Sequence, residues 1–344
     1  MNRTNTTNAT TPTAFVAASV PSIGICRIVI LISRFVLNSI VLSVYIARRK
    51  MRTPFSVYIM SLLTSNLLDL ILFFPFMIAN NLGTDASHFV FGETGCAVYG
   101  YGVAIMRCCC LASHALITLN RAWAMTFPIS YKNIHSSRFA VALCVVVMVG
   151  IHSLMVPGLV LSEQTRPRPV QTYGCWYQVS RSKSILNLLS TIGFFLFYIM
   201  PVIIVAMYPY LFFKYLQAKK RVAGQEGHQG APAELKASRT FGIVSMLSLS
   251  IIVCWLPEEL VTLLMSYVGS RSVIRAYPIV SLLSSFQVLL DPLFLLVSSR
   301  ELRYGLMSIL CNKKFMAERA GTFNMVTFAR SNTKHPTMST RIYN

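Results

Sequence analysis

Long apolar stretches alternate with short polar tracts along this chain of 344 residues. Seven of the stretches reach the ~20 residues that a helix needs to cross the ~30 Å hydrocarbon core of a bilayer. In chain order, spans one to seven are Ser22–Ala47, Ser56–Leu82, Gly95–Met125, Phe139–Leu161, Ile185–Leu216, Thr240–Val268 and Ala276–Ser298. The pattern predicts an all-α membrane protein whose core is a seven-transmembrane helix bundle.

The segments outside the spans predict how the chain is divided. Residues 299–311 are too short to cross a bilayer but are amphipathic, so they predict a short surface helix after span seven. Cys311, at the end of this helix, is a candidate palmitoylation site. We therefore divide the chain into an outer tail (1–21), a membrane domain (22–312) and a disordered cytoplasmic tail (313–344).

The composition agrees with burial in lipid. Hydrophobic residues make up 54% of the chain and charged residues only 12%, whereas about a quarter of the residues in a soluble domain are charged. The net charge of +20 could indicate a nucleic-acid partner. However, the basic residues cluster in short tracts between apolar runs, as in the cytoplasmic loops of membrane proteins. We therefore exclude nucleic acid and expect membrane lipid around the spans.

The distribution of lysine and arginine predicts the orientation. The tracts after spans one, five and seven are the richest in these residues, and such tracts stay on the cytoplasmic side. The protein is therefore predicted to be a multi-pass plasma-membrane protein with its amino terminus outside and its carboxyl terminus inside. Residues 219–236 are predicted to be a flexible inner loop. Three Asn-x-Thr sequons predict glycosylation of the outer tail at Asn2, Asn5 and Asn8.

Ionisable side chains inside the spans are candidate functional residues, because each is costly at membrane depth unless it is paired or hydrated. Several stand out: Arg34 in span one, Asp69 in span two, Arg107 in span three, Glu258 and Glu259 in span six, and Asp291 in span seven. For Arg107, two interpretations remain open. It forms an internal ion pair with one of the two glutamates, or one of these charged groups contacts a charged ligand.

Motifs at characteristic depths connect these residues. They are Asn38, Asp69, Asn120-Arg121-Ala122 at the end of span three, Pro201, Cys254-Trp255-Leu256-Pro257 and Asp291-Pro292-Leu293-Phe294-Leu295. Their order and depth resemble the rhodopsin-like (class A) G-protein-coupled receptor family, over about residues 22–312. The resemblance implies a receptor and not an enzyme. It also implies a disulfide between Cys96 and Cys175.

The resemblance further implies a mechanism. An extracellular ligand fills a cup between spans three, five, six and seven, and packing changes around Trp255 and Pro201. Span six then pivots at Pro257, where the proline ring removes a backbone hydrogen bond. Its inner end swings out, and a cavity with Arg121 at its floor accepts a heterotrimeric G protein. Arrestin and a receptor kinase are further expected partners. The resemblance implies that Asp291 and Pro292 of span seven also take part in this change from the resting to the active conformation.

Three residues depart from the family's pattern. Asn120 replaces the aspartate that restrains the neighbouring arginine, and Leu295 and Pro209 stand where the family has tyrosines. These changes predict either raised basal activity or weakened coupling, and the sequence does not choose between them.

The side chains expected in the ligand pocket restrict the ligand's chemistry. They are Val103, Arg107, Trp255, Glu258 and Glu259. Retinal needs a lysine in span seven, which has none. Biogenic amines need a carboxylate in outer span three, where this chain has Val103. Residues 162–183 can form an arginine-rich outer loop like those of peptide receptors. A peptide or another charged ligand is therefore favoured.

Only one cofactor is suggested, a sodium ion between Asp69 and Asp291, with Gln287 and Cys110 nearby in the family's geometry. The alternative is that Arg34 supplies the positive charge and excludes sodium.

A membrane protein that does not couple to G proteins is the alternative function. A transporter would be expected to contain inverted repeats or broken helices, and we find no such repeat. An intramembrane zinc enzyme needs ligands that converge at one depth, whereas the six histidines are scattered.

Overall fold

The computed structural model describes residues 20–82, 91–162, 185–223, 242–243, 245–267 and 271–310. Regular structure in these residues is helical throughout. The α-helices are α1 (Val20–Ala47), α2 (Pro54–Leu72), α3 (Phe74–Leu82), α4 (Gly92–Thr126), α5 (Pro128–Ile134), α6 (Ser137–Ser162), α7 (Ile185–Ala223), α8 (residues 245–250), α9 (Leu256–Tyr267), α10 (Arg271–Ser298) and α11 (Arg300–Leu310). A 3₁₀ turn forms at Arg49–Met51 and a π turn at Ile251–Trp255.

Seven helical segments in the described residues are long and apolar enough to cross a membrane. Spans one, three, four, five and seven correspond to α1, α4, α6, α7 and α10. Span two contains α2 and α3, and span six contains α8, the π turn and α9. The predicted all-α bundle of seven spans is therefore confirmed, and the protein is a multi-pass membrane protein.

Two spans differ in detail from the prediction. Span two is divided at Phe73, two residues before Pro75, whose missing N–H interrupts the helical hydrogen bonding. Span five continues as helix to Ala223, so the first residues of the predicted loop 219–236 are helical. Asn2, Asn5, Asn8, Cys175 and Cys311 lie outside the described residues, as does the side chain of Cys96.

Span three is the most buried of the seven spans and packs against spans two, four and five. Fully buried aliphatic side chains from five spans meet in the inner half of the bundle: Leu62, Leu111, Ile204, Ile251 and Leu295. The outward faces of spans four and five carry exposed valine, isoleucine and phenylalanine side chains instead. In a bilayer these apolar faces can contact lipid directly, because the backbone N–H and C=O groups are already hydrogen-bonded within each helix.

The short helix α11 packs against the inner end of α1. Leu302 is fully buried, and an added Cβ at Gly305 would lie 2.7 Å from Val44 Cγ1, so only glycine allows this close approach. Tyr304 and Met307 are exposed on the same helix, as expected for an amphipathic helix at a membrane surface. The end of the bundle that holds the start of α1 is the predicted extracellular side, and we refer to it as the outer end.

Candidate functional site

The outer half of the bundle contains a buried ion pair between spans three and six. Arg107 Nη2 lies 2.9 Å from Glu258 Oε1, and the two side chains are 26% and 1% exposed. Glu258 and Glu259 occupy the first turn of α9, directly after Pro257. The structure therefore contains the internal pair that was one of the two interpretations of Arg107. Val103 lies four residues earlier on span three and is partly exposed.

A change of helix type lies directly below this ion pair. Pro257 has no N–H to donate to the carbonyl of Val253, and the preceding turn, Ile251–Trp255, is a π turn. The amide of Leu256 bonds to Ile251 O in this turn. Such π bulges and prolines are the usual causes of helix bending. Span six therefore has a built-in deformable point between the outer pair and its inner half.

Trp255, at the end of the π turn, joins span six to span three. Its side chain is only 5% exposed. The His114 ring meets it edge-on, with ring centroids 6.4 Å apart and ring planes at 75°. A displacement of Trp255 must therefore also displace His114, because both rings are buried in close contact. Pro201 of span five is also buried.

His114 belongs to a polar core around Asp291 of span seven. Gln287 Nε2 donates to Asp291 Oδ1 at 2.9 Å, and Asn66 Nδ2 donates to Asp291 Oδ2 at 3.2 Å. His114 Nε2 lies 3.3 Å from the same Oδ2 atom. Asn66 also donates to Asn38 Oδ1 at 3.3 Å, which connects span one to the core. Both oxygens of Asp291 are thus satisfied by protein groups. Pro292, the next residue, is buried.

Asp69 of span two has a different partner. Arg34 Nη2 lies 3.4 Å from Asp69 Oδ2, and the Arg34 side chain is 4% exposed. The same guanidinium lies 4.9 Å from the ring centroid of Phe74, so span one supplies Asp69 with both a positive charge and packing.

At the inner end of span three, Arg121 contacts an aromatic ring. Its guanidinium carbon lies 3.1 Å from the ring centroid of Phe55, in the first turn of α2. Arg121 Nε is buried and has no hydrogen-bond partner among the residues that the structure describes. The neighbouring residue, Asn120, carries no charge, so the phenyl ring takes the place of a carboxylate through a cation–π interaction.

Comparison with known proteins identifies this arrangement. Residues 37–295 match the family described as 7 transmembrane receptor (rhodopsin family). The chain belongs to this family. The match includes Asp291 of the polar core, the tryptophan and proline of span six, and the inner arginine, which the sequence motifs contain. The alternative of a transporter or an intramembrane enzyme is not favoured.

Individual relatives of this receptor are distant. The chain is 28% identical over 225 residues to 5-hydroxytryptamine receptor 1D of Oryctolagus cuniculus, which covers 64% of this chain and 55% of that protein. It is 26% identical to an alpha-2 adrenergic receptor of Carassius auratus, over 46% of this chain and 35% of that protein. For the alpha-2B adrenergic receptor of Echinops telfairi the identity is 25%, over 42% and 38% of the two chains. The matches therefore span about half or less of each relative's length.

The core of this receptor does not suit the sodium ion that the family resemblance suggested. A sodium site needs carboxylate oxygens free to face the ion, as hard cations take oxygen ligands. Here Arg34 neutralises Asp69, and Asn66, Gln287 and His114 surround Asp291. The contacts of Arg34 favour the guanidinium alternative, because a fixed cation repels a mobile one, and a metal at Asp69 and Asp291 stays a prediction.

A hydrogen-bonded cluster surrounds Asn120 at the inner end of the receptor. Asn120 Nδ2 lies 2.8 Å from His135 Nε2, and Tyr58 Oη lies 2.9 Å from the same ring nitrogen. Tyr131 donates to Asn120 Oδ1 at 3.3 Å. The rings of Trp123 and His135 meet edge-on at 5.7 Å. The cluster joins spans two and three to the segment between spans three and four, next to Arg121.

His135 makes this cluster sensitive to pH. Burial, together with the positive charge of Arg121, lowers the pKa of His135 below its ordinary value. The folded receptor therefore favours the neutral imidazole. The stability that the neutral His135 contributes is fully present at pH values above the ordinary histidine pKa, and it is lost as the pH falls below that value. We expect the unfolding temperature to fall between pH 7.5 and about pH 5, and to fall less in His135→Gln. Thermal unfolding of purified receptor measures this difference.

The control for this pH dependence is His152→Gln, since His152 is exposed on span four. An equal fall in unfolding temperature for wild type, His135→Gln and His152→Gln would contradict the role of His135.

Several site residues were missed by the sequence analysis: Phe55, Asn66, His114 and His135. Phe55 and His135 act near the ends of helices, where no motif marks them. His114 had a usable signal, because it lies four residues after Cys110 and seven before Arg121. These spacings place the three side chains near one face of span three, toward the bundle centre.

Proposed function

We propose that this chain is a G-protein-coupled receptor that converts binding of an extracellular ligand into activation of a heterotrimeric G protein. The observation that carries the proposal is a pair of contacts between spans three and six. They are the Arg107–Glu258 ion pair and, about one turn further in at the end of the π turn, the contact of Trp255 with His114. A ligand that displaces the outer pair therefore acts on a helix with a deformable point directly below it.

The proposed switch has two states, and the ligand acts by binding one of them better. In the resting state, Phe55 covers the guanidinium of Arg121. In the active state, the inner half of span six moves outward about Pro257 and opens a cavity in which Arg121 meets the G protein. Such a hinge needs little backbone strain, because Pro257 already lacks one helical hydrogen bond.

The ligand proposed for the outer cup is a peptide or another charged molecule. The relatives include receptors named for 5-hydroxytryptamine and adrenergic ligands, which supports a ligand with an amine. An amine needs a carboxylate, and position 103 of span three is valine. Among the side chains that the structure describes, Glu258 and Glu259 of span six are carboxylates of the outer cup, so an amine would be recognised from that side.

The proposed orientation has the amino terminus outside and the carboxyl terminus inside, in the plasma membrane. It is supported by the basic tracts at the inner ends of spans one, five and seven. A cytoplasmic tail rich in serine and threonine is also the expected region for a receptor kinase and arrestin. Epitope tags at the two ends, detected with and without permeabilisation of cells, test this orientation.

The experiment that tests the proposed function is nucleotide exchange on purified heterotrimeric G proteins by the receptor in lipid nanodiscs. We expect exchange above that of empty nanodiscs with at least one G-protein class, and a loss of at least tenfold in Arg121→Ala. Arg48→Ala, an exposed basic residue after span one, is the matched control and should keep wild-type exchange. No exchange with any G-protein class would reject the proposal.

Asn120→Asp should lower the ligand-independent exchange rate severalfold. The new carboxylate adjoins Arg121 and adds a charge–charge attraction to the cation–π contact in the resting state. The rate is compared with that of wild type at equal receptor density, with Asn120→Ala as the control that removes the amide without adding charge. If Asn120→Asp and wild type exchange equally, the interpretation of raised basal activity is wrong.

A further inference from the structure

The two partners of the outer ion pair differ in how far they are exposed. The side chain of Arg107 is 26% exposed, whereas Glu258, to which Arg107 Nη2 donates at 2.9 Å, is 1% exposed. Glu259, the next residue of α9, is 7% exposed. A molecule in the outer cup can therefore reach the cation of this pair more readily than either carboxylate. Because arginine stays protonated in proteins, the charge that the pair presents to a ligand is positive.

A stripe of partly exposed side chains on span three leads from the outer end of the bundle to Arg107. Tyr99, Val103 and Arg107 follow one another at intervals of four residues, so they lie near one face of the helix. All three are partly exposed, whereas Met106 and Cys108 on either side of Arg107 are buried. Eight residues rise ~12 Å along a helix. The stripe therefore offers aromatic and aliphatic surface over this length, with a positive charge at its inner end.

Buried aromatic rings lie further in than Arg107. His114 follows Arg107 by seven residues, which is ~10 Å along the axis of span three. Its ring contacts that of Trp255, and these two residues are 2% and 5% exposed. A ligand that lies against the stripe therefore has its innermost group at Arg107, above this closed aromatic contact.

We propose that the ligand of this receptor is an organic acid with an apolar body, whose carboxylate binds Arg107 in place of Glu258. The ligand carboxylate reproduces the charge-assisted hydrogen bond that Glu258 Oε1 accepts, and the apolar body lies along Val103 and Tyr99. A fatty acid, an aryl-alkyl acid and a peptide with an apolar carboxyl-terminal residue share this chemistry. The inference rests on the proposed function in taking the outer cup as the ligand site.

Displacement of Glu258 connects the binding of an acid to span six. Glu258 stands in the first turn of α9, directly after Pro257. A buried carboxylate that loses its cation is strongly disfavoured, so the acid favours a conformation in which this turn has moved and Glu258 meets water. The movement takes place directly outside the π turn and Pro257, which form the deformable point of span six.

The test measures the unfolding temperature of purified receptor in nanodiscs with matched probes. The acids are phenylalkanoates from phenylacetate to phenylhexanoate, saturated fatty acids from butanoate to dodecanoate, and N-acetylated dipeptides that end in leucine or phenylalanine. Each acid is compared with its primary amide and, in the first two sets, with the amine of the same carbon skeleton. We expect at least one acid to bind roughly tenfold or more tightly than its amide and amine. The three sets distinguish the sources of the acid.

Two variants of the ion pair have opposite expected effects. In Glu258→Gln the acid no longer competes with a carboxylate, so it should bind severalfold more tightly than in wild type. Arg107→Gln/Glu258→Gln leaves no unpaired charge from this pair, so it should fold, and it should bind the acid roughly tenfold or more weakly than wild type. Arg300→Gln and Glu301→Gln, exposed on α11, are the controls and should bind the acid as wild type does.

Three results would overturn the inference. They are the failure of every acid to bind more tightly than its amide, weaker binding of the acid in Glu258→Gln, and wild-type binding of the acid in the double variant. An amine that binds wild type and is lost in Glu258→Gln would assign the ligand contact to the glutamate instead, which also rejects the inference. If the double variant does not fold, the direction of the change in Glu258→Gln decides alone.

The nucleotide-exchange assay separates failure of this inference from failure of the proposed function. Acids that bind as expected without activating any G-protein class would reject the receptor proposal alone. Nucleotide exchange by a receptor that binds no acid would reject only the inference.

Discussion

Arg34→Ala is expected to lower the unfolding temperature of the receptor by roughly 10 °C. Arg34 is 3% exposed and pairs with Asp69 at 3.4 Å. Removing one partner of a buried ion pair costs about 3–5 kcal/mol, because the remaining charge is left buried and uncompensated. A loss of this size shifts the unfolding temperature by roughly 2–4 °C per kcal/mol in a domain of about 200 residues. Thermal unfolding of purified receptor in potassium buffer measures the fall.

The double variant Arg34→Ala/Asp69→Asn separates the ion pair from simple packing loss. It leaves no unpaired charge, so it should recover most of the lost stability. Replacing potassium by sodium at constant ionic strength should leave wild type and the double variant unchanged, and should stabilise Arg34→Ala alone. A sodium effect of equal size in wild type would contradict the proposal that Arg34 supplies the positive charge beside Asp69 in place of a sodium ion.

Phe55→Leu is expected to raise the ligand-independent nucleotide exchange of the receptor. The Phe55 ring lies 3.1 Å from the guanidinium carbon of Arg121 in the resting arrangement. A desolvated cation–π contact is worth about 2 kcal/mol, which corresponds to roughly a 30-fold change in a two-state equilibrium. Leucine keeps the apolar contact but lacks the ring. Exchange by the ligand-free receptor should therefore rise several-fold, with the 30-fold value as the upper bound.

Two variants control for this effect. Phe55→Tyr keeps an aromatic face toward Arg121 and should retain the wild-type rate. Phe127→Leu changes a phenylalanine at the same end of the bundle that is 61% exposed, and should also have no effect. If Phe55→Leu and Phe127→Leu give the same exchange rate, the Phe55 ring does not restrain Arg121.

The two expected results have a common physical basis. The family resemblance pairs Asp69 with a mobile ion and Arg121 with a neighbouring aspartate. In this structure, a residue of another span contacts each of these two charges instead. Arg34 of span one neutralises Asp69, and Phe55 of span two covers Arg121. We therefore expect stability and basal activity in this receptor to depend on contacts between spans.

The sequence by itself determined the architecture. The thickness of a bilayer sets the minimum length of an apolar stretch that can cross it. Counting consecutive apolar residues was therefore enough to locate all seven spans. The surface helix α11 followed from its amphipathic pattern, and the family followed from motifs at fixed depths. The candidate charges were also found this way, because an ionisable group at membrane depth is conspicuous in an apolar background. Arg34, Asp69, Arg107 and Asp291 needed no structure to be singled out.

Only the tertiary structure decided which partner each of these groups has. The sequence left open whether Asp69 faces sodium or Arg34, and whether Arg107 meets a glutamate. These outcomes depend on the rotation of each helix and on distances between spans that are far apart in the chain. Neutral partners such as Phe55 are invisible to a search for charges, since an aromatic ring in an apolar span gives no signal. The partners of the charged groups therefore depend on packing, which composition and periodicity do not specify.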